Sequence, residues 1–157
     1  MRLKDREIVE FDEIIDLIKK CEVCRIAMMD EEYPYIVPMN FGVQMQEENI
    51  IFYFHTAREG RKVTLLRKNP NVAFEMDCEH EVYVNDKNTM CSMAYASVMG
   101  EGTMQEVEKD EKQEAMNFLL SQYPEHQDVQ YNLKTLDYVI IWKLVVKRIS
   151  AKQNKRS

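Results

Sequence analysis

Tyr53-Phe54-His55-Thr56-Ala57-Arg58-Glu59-Gly60-Arg61-Lys62-Val63-Thr64-Leu65-Leu66-Arg67-Lys68-Asn69-Pro70 runs from an aromatic strand, through a turn, into the basic start of a helix. A helix N-terminus leaves its first N–H groups unpaired and carries the positive end of the helix dipole, which together favour an anion. Gly60 lets the main chain come close to a ligand, Arg61 and Lys62 add full charges, and His55 and Thr56 bring further donors. Asn69-Pro70 ends the helix, because proline cannot continue it and pushes the preceding residue out of the helical region. Taken without its neighbours, the same stretch is also an ordinary strand, turn and surface helix with Val63, Leu65 and Leu66 facing a core.

On the N-terminal side, Phe11, Ile14, Ile15 and Ile18 recur at helical spacing and Lys19-Lys20 suit a helix C-terminus, predicting a helix over Asp12–Lys20. Strand-like runs follow at Cys24–Met29, Tyr35–Val43 and Ile50–His55, separated by polar, turn-like Asp30-Glu31-Glu32 and Gln46-Glu47-Glu48-Asn49. Pro38 lies inside the second run. It removes a ladder donor, which implies an edge or bulge, and leaves main chain around Pro38–Asn40 partly free to bond a flat heteroaromatic ring; taken alone, the segment reads as an ordinary bulge or edge strand.

On the C-terminal side, strands are predicted at Val72–Met76, Met93–Gly102 and Tyr138–Ile149. A helix within Glu106–Tyr123 carries Ala115, Phe118 and Leu119, Cys78–Asn88 reads as a polar loop, and Ala151–Ser157 as a solvated, frayed end. Six strands joined mainly by short turns, with three helices between them, predict a mainly β fold: an antiparallel barrel with helices at its margins.

A chain of 157 residues with 45% hydrophobic and 31% charged residues is expected to form one globular domain over 1–157. A net charge of −6 argues against general nucleic-acid binding, which needs many Lys and Arg contacts to phosphate. No apolar run is long enough to span a bilayer and the start is charged, so a cytoplasmic location without membrane attachment is the expectation.

Side-chain chemistry is sparse. Cys21-Glu22-Val23-Cys24 has the spacing of half a zinc site that Cys78 and His80 would complete, but Cys-x-His is an unusual second half, and reduced packing cysteines with no metal are expected. His55, His80 and His126 are scattered, and Ser92 and Ser97 lack an elbow motif. An anion pocket with many aromatics and methionines points to chemistry carried by a cofactor.

The chain resembles the FMN-binding split-barrel family related to pyridoxamine 5'-phosphate oxidase, in particular its nitroimidazole-resistance (NimA-like) branch. The resemblance rests on Met1–Ile8, Cys24-Arg25-Ile26-Ala27, Tyr33–Gly42, the His55–Pro70 block and Tyr95-Ala96-Ser97-Val98-Met99-Gly100-Glu101-Gly102, in that order and spacing. It implies a six-stranded antiparallel split β-barrel and a homodimer with flavin at the interface. By motif, Pro38, Met39, Asn40 and Phe41 would line the isoalloxazine ring; His55, Thr56, Arg61 and Lys62 would hold ribityl and phosphate; Tyr95, Ser97 and Val98 would help complete the interface.

The implied activity is FMN-dependent reduction of small planar acceptors such as nitroimidazoles. No catalytic side chain is assigned, although His55 is a candidate proton donor. Electrons would come from NAD(P)H or a reductase partner, as no Gly-x-Gly-x-x-Gly fingerprint is present. Two departures from the family pattern, Ala96 and Glu101, leave the substrate open. The alternatives are a non-catalytic flavin- or haem-binding module, or a pyridoxamine 5'-phosphate oxidase-like enzyme, whose C-terminal substrate segment has no counterpart in this sequence.

Overall fold

The computed structural model describes residues 4–47, 49–85, 90–123, 125 and 132–155. In chain order the elements are β1 (Glu7–Ile8), α1 (Phe11–Lys20), β2 (Cys24–Met28), β3 (Tyr35–Met39), β4 (Gly42–Gln46), β5 (Asn49–Ala57), α2 (Arg61–Lys68), β6 (Asn71–Asn85), β7 (Met90–Glu106), α3 (Lys112–Ser121) and β8 (Val139–Asn154). The strands form one sheet in the order β3-β2-β6-β7-β8-β5-β4, with β1 added to β8. Every pairing is antiparallel. No described helix is long and apolar enough to cross a membrane.

The two ends of the strand path, β3 and β4, are consecutive in the chain. Asn40 and Phe41 connect them, so a covalent corner closes the barrel where hydrogen bonds do not, and the barrel is split at that corner. Sequence reasoning ran Tyr35–Val43 as one strand; the break into β3 and β4, together with β1, makes eight strands rather than six. Pro38 sits on edge strand β3, where its missing donor interrupts no ladder on the open side.

Alternation along β5 assigns its two faces. Phe52, Phe54 and Thr56 are buried inside the barrel, while Tyr53 and His55 point outward. Inside, edge-to-face rings run from Phe41 through Phe52 to Phe74, with centroids 5.7 and 5.2 Å apart. Amphipathic α1 buries Ile14, Ile15, Leu17 and Ile18 in the same core, and its acidic start and basic end suit the dipole. Outside, α3 covers β4 and β5: Tyr53 stacks on Phe118 at 5.3 Å, beside Ala115, Leu119 and Ile141. A Cβ on Gly42 would lie 2.2 Å from the Phe118 carbonyl oxygen, so this close approach requires glycine.

Three expected segments differ. Residues 78–85 are strand rather than loop: β6 pairs with β7 from Asn71↔Thr103 to Asn85↔Met90, with a register shift between Cys78 and Glu81. Residues 86–88 of that expected loop lie outside the described residues. The helix expected within Glu106–Tyr123 is confined to α3, because Glu106 still pairs in β7 opposite Trp142. The tail expected to fray continues β8 to Asn154, and Ala151 is buried opposite Val98.

Candidate functional site

The start of α2 is built around Gly60. Its backbone (φ 130°, ψ 167°) is open essentially to glycine alone, and an added Cβ would meet no atom within 4 Å. The first helical bond runs from Thr64 N–H to the Gly60 carbonyl at 3.1 Å. The N–H groups of Arg61, Lys62 and Val63 therefore have no partner within the helix. No side chain caps this end and no acidic residue lies in the first turn. Open space, free donors and a positive dipole end meet at one point.

Two cations flank it in different states. The Arg61 guanidinium donates from Nε (2.9 Å) and Nη2 (2.6 Å) to Asp30 Oδ2, and its carbon lies 4.5 Å above the Tyr35 ring. Lys62 has no ion-pair partner among the described residues, and its charge is felt at His55. Partial loss of water, and then the Lys62 charge, lower the His55 pKa from its ordinary 6.5, so the imidazole is neutral at pH 7. The ring keeps exposed surface, which moderates the effect.

Asn40 and His55 share a cavity of about 310 Å³ whose apolar wall is Met116, Leu119 and Leu120 of α3, with Tyr123 at its edge. The Tyr123 hydroxyl accepts from Asn40 Nδ2 (3.1 Å) and Phe41 N–H (3.2 Å) and donates to the Glu22 carbonyl (2.8 Å). The corner that the sequence suggested was free for a ring is thus partly satisfied by Tyr123. Pro38 and Asn40 are exposed there, whereas Met39 and Phe41 turn into the core and offer main chain only.

Thr56 is buried, and its Oγ1 accepts from Trp142 Nε1 at 3.0 Å, so its side chain faces the barrel interior. Val98 also packs in the core. Tyr95 carries the Lys152 ammonium 5.2 Å from its ring centre. Ser97 is 6% exposed, and its Oγ has no hydrogen-bond partner. It borders a second cavity, of about 250 Å³, with Met99, Ser150, Lys152 and Glu7.

These residues form two clusters. His55 lies opposite Ile141 on β8 and Ser97 opposite Lys152, eleven residues further along the same strand. That is on the order of 30 Å of strand. One protomer brings Asn40 and His55 together at the split corner and sets the Lys62 charge close enough to be felt at His55. It holds Arg61 at the far end of β3 on Asp30 and Tyr35, and keeps Tyr95, Ser97 and Val98 on β7 beside the C-terminal end of β8.

Sequence reasoning missed Asp30 and Tyr35, which hold Arg61, and Tyr123, which holds the corner. Asp30 was visible only as part of an acidic turn, and Tyr123 only as the residue before Pro124. Among the described residues no group of three His, Cys, Asp or Glu is placed to hold a metal. Cys21 and Cys24 are buried thiols with pKa values pushed far up by desolvation; the Cys21 thiol donates to the Leu17 carbonyl at 3.4 Å. His80 Nε2 pairs with Asp77 at 2.7 Å.

Known proteins supply the frame. A 5-nitroimidazole antibiotic resistance candidate from Bacteroides thetaiotaomicron is 26% identical, with a TM-score of 0.81 over 94% of this chain and 86% of that one. An FAD- and haem-binding protein from Mycobacterium smegmatis is 16% identical, with a TM-score of 0.80 over 96% and 74% of the two chains. A flavocytochrome from Azotobacter vinelandii is 13% identical, with a TM-score of 0.78 over 99% and 72%. These two show a shared fold. No match is found among curated proteins. Residues 10–153 match the family described as pyridoxamine 5'-phosphate oxidase, and the chain belongs to that family.

Proposed function

We propose that this chain binds FMN as a homodimer and passes electrons from it to small planar acceptors such as nitroimidazoles. The observation that carries the reading is the uncapped start of α2, where Gly60 leaves open space beside N–H groups with no helical partner and a Lys62 that has no ion-pair partner among the described residues. Those donors suit a phosphate dianion. Family membership and the nitroimidazole-resistance neighbour support the choice of flavin and acceptor.

In this reading, the α2 N–H groups, Lys62 and Arg61 hold the phosphate. Neutral His55 adds an N–H donor next to it, and the edge exposed at Pro38 and Asn40 meets the ring. Bound FMN supplies the electron-carrying chemistry. The apolar wall of Met116, Leu119 and Leu120 limits water at the cavity beside His55, where a planar acceptor would lie. His55 can hold or release a proton there, because its ordinary value lies near neutrality. The unpartnered Ser97 hydroxyl, on β7 opposite Lys152, lies eleven residues of β8 away from the position opposite His55, too far to join its own protomer's phosphate site. In a two-fold dimer, the partner's Ser97 and the partner's Tyr95 complete the flavin groove.

The test is a fluorescence titration of wild type and Lys62→Ala with FMN and with riboflavin, which lacks the phosphate. The substitution is expected to weaken FMN and spare riboflavin. Equal losses for both would remove Lys62 from the phosphate. A second reading, a flavin- or haem-binding module without turnover, is favoured by the two flavin- and haem-binding neighbours. The absorbance of freshly purified protein identifies the chromophore, and anaerobic reoxidation of the reduced protein by a nitroimidazole separates enzyme from module.

A further inference from the structure

Arg61 is the best-anchored cation of the α2 start, and both its anchors lie outside that helix. Asp30 stands in the loop between β2 and β3, and Tyr35 is the first residue of β3. The Asp30 side chain is largely shielded, 18% exposed, while the Arg61 side chain it holds is 63% exposed. Asp30 Oδ2 takes the Nε edge and one Nη2 bond, and Tyr35 takes one face of the plane. A guanidinium has further N–H donors on its remaining edge, and the rigid fork fixes their direction once two bonds are made. We propose that Asp30 and Tyr35 are positioning residues that hold Arg61 ready for the flavin phosphate.

The proposal rests on the phosphate reading above and extends it to residues outside the α2 block. A free surface arginine must give up rotamer freedom when it grips an anion, which subtracts from affinity. Here that ordering is completed before the ligand arrives. Asp30 also cancels part of the local positive charge, so the opposite outcome has a physical basis: a carboxylate that merely competes with phosphate for Arg61 would weaken FMN binding. The bonding pattern favours positioning, since Asp30 occupies the Nε edge and the Nη1 donors have no partner among the described residues.

The experiment measures FMN and riboflavin affinities for wild type, Asp30→Ala, Tyr35→Leu, Arg61→Ala and the Asp30→Ala/Arg61→Ala double variant, with thermal melts of each ligand-free protein. Asp30→Ala is expected to raise the Kd for FMN roughly three- to tenfold, the worth of one immobilised side chain. Riboflavin affinity should stay unchanged. Tyr35→Leu should give a smaller loss in the same direction, and Asp30→Ala should do nothing further once Arg61 is absent.

Tighter FMN binding by Asp30→Ala would make the carboxylate a competitor and overturn the proposal. So would equal losses for FMN and riboflavin, or an undiminished loss in the Arg61→Ala background. If Lys62→Ala separates the two flavins while Asp30→Ala does not, only this proposal fails. If neither does, the phosphate reading fails with it.

Discussion

Two helix ends in this molecule face the same problem and resolve it in opposite ways. The C-terminus of α1 leaves carbonyls short of helical partners, and the two amide protons of Gln122 are shared among those at and just past this end: its Nε2 lies 3.3, 3.2 and 3.0 Å from the carbonyls of Ile18, Lys19 and Cys21. The N-terminus of α2 leaves N–H groups without helical partners, and no side chain caps them. The closed end joins α1 to the residue after α3 and serves the fold. The open end combines a glycine-only backbone with a lysine that has no ion-pair partner among the described residues, so an external anion is the natural completion of its donors.

If that contrast is right, substitutions at the two ends should fail in different currencies. The largest effect belongs to the open end. Lys62→Ala is expected to cost about 1.5–3 kcal/mol of FMN affinity, the range for a charge-assisted bond, with little change in the melting temperature of the ligand-free protein. At the closed end, Gln122→Ala is expected to cost about 1–2 kcal/mol of folding stability, because it exposes α1 carbonyls to incomplete pairing. Denaturant unfolding measures it. A Gln122→Ala protein that instead separates FMN from riboflavin would break the distinction between the ends.

Ser97 tests whether the open end is complete in one protomer. Its buried hydroxyl has no partner, so Ser97→Ala should leave the ligand-free protein unchanged or raise its stability by up to about 1 kcal/mol. The same substitution should weaken FMN if the partner's Ser97 reaches the ligand. Ultracentrifugation across the titration ties the two together: a monomer that binds FMN tightly would detach the Ser97 cluster from the flavin.

What could be read from sequence was local. The α2 block declares itself within one stretch, because strand, glycine, basic residues and terminating Asn69-Pro70 are neighbours in the chain. Pro38 likewise announces an edge by its own chemistry. Segments whose structure depends on distant partners were misjudged: Val82-Tyr83-Val84 becomes strand by pairing with Cys91-Ser92-Met93, and Ala151 is buried because Val98 lies opposite. The Asp30–Arg61 and Tyr123–Asn40 bonds span 31 and 83 residues, and neither partner's type reveals the other. The charges of the site were therefore visible and the groups that orient them were not.

The smallest expected effect is also the most direct probe of the open end. His55 is held below its ordinary value of 6.5, by desolvation first and by the Lys62 charge second. A histidine so placed takes up a proton more readily in the unfolded chain than in the folded one. Its neutral form therefore favours folding above about pH 6.5, and that contribution declines as pH falls from there toward the lower folded value. Ligand-free protein should lose stability across this acidic window, and His55→Gln should flatten part of the loss. Lys62→Ala should flatten a smaller part, since the lysine is the lesser cause. A bound phosphate dianion acts in the opposite sense: it favours imidazolium, so FMN should raise the His55 pKa and bring proton uptake on binding at pH values between the ligand-free and the ligand-bound one. NMR titration of the ring protons with and without FMN reads this shift. A His55 that titrates identically in both states would place the phosphate away from it, leaving Lys62 and the α2 N–H groups to hold the anion alone.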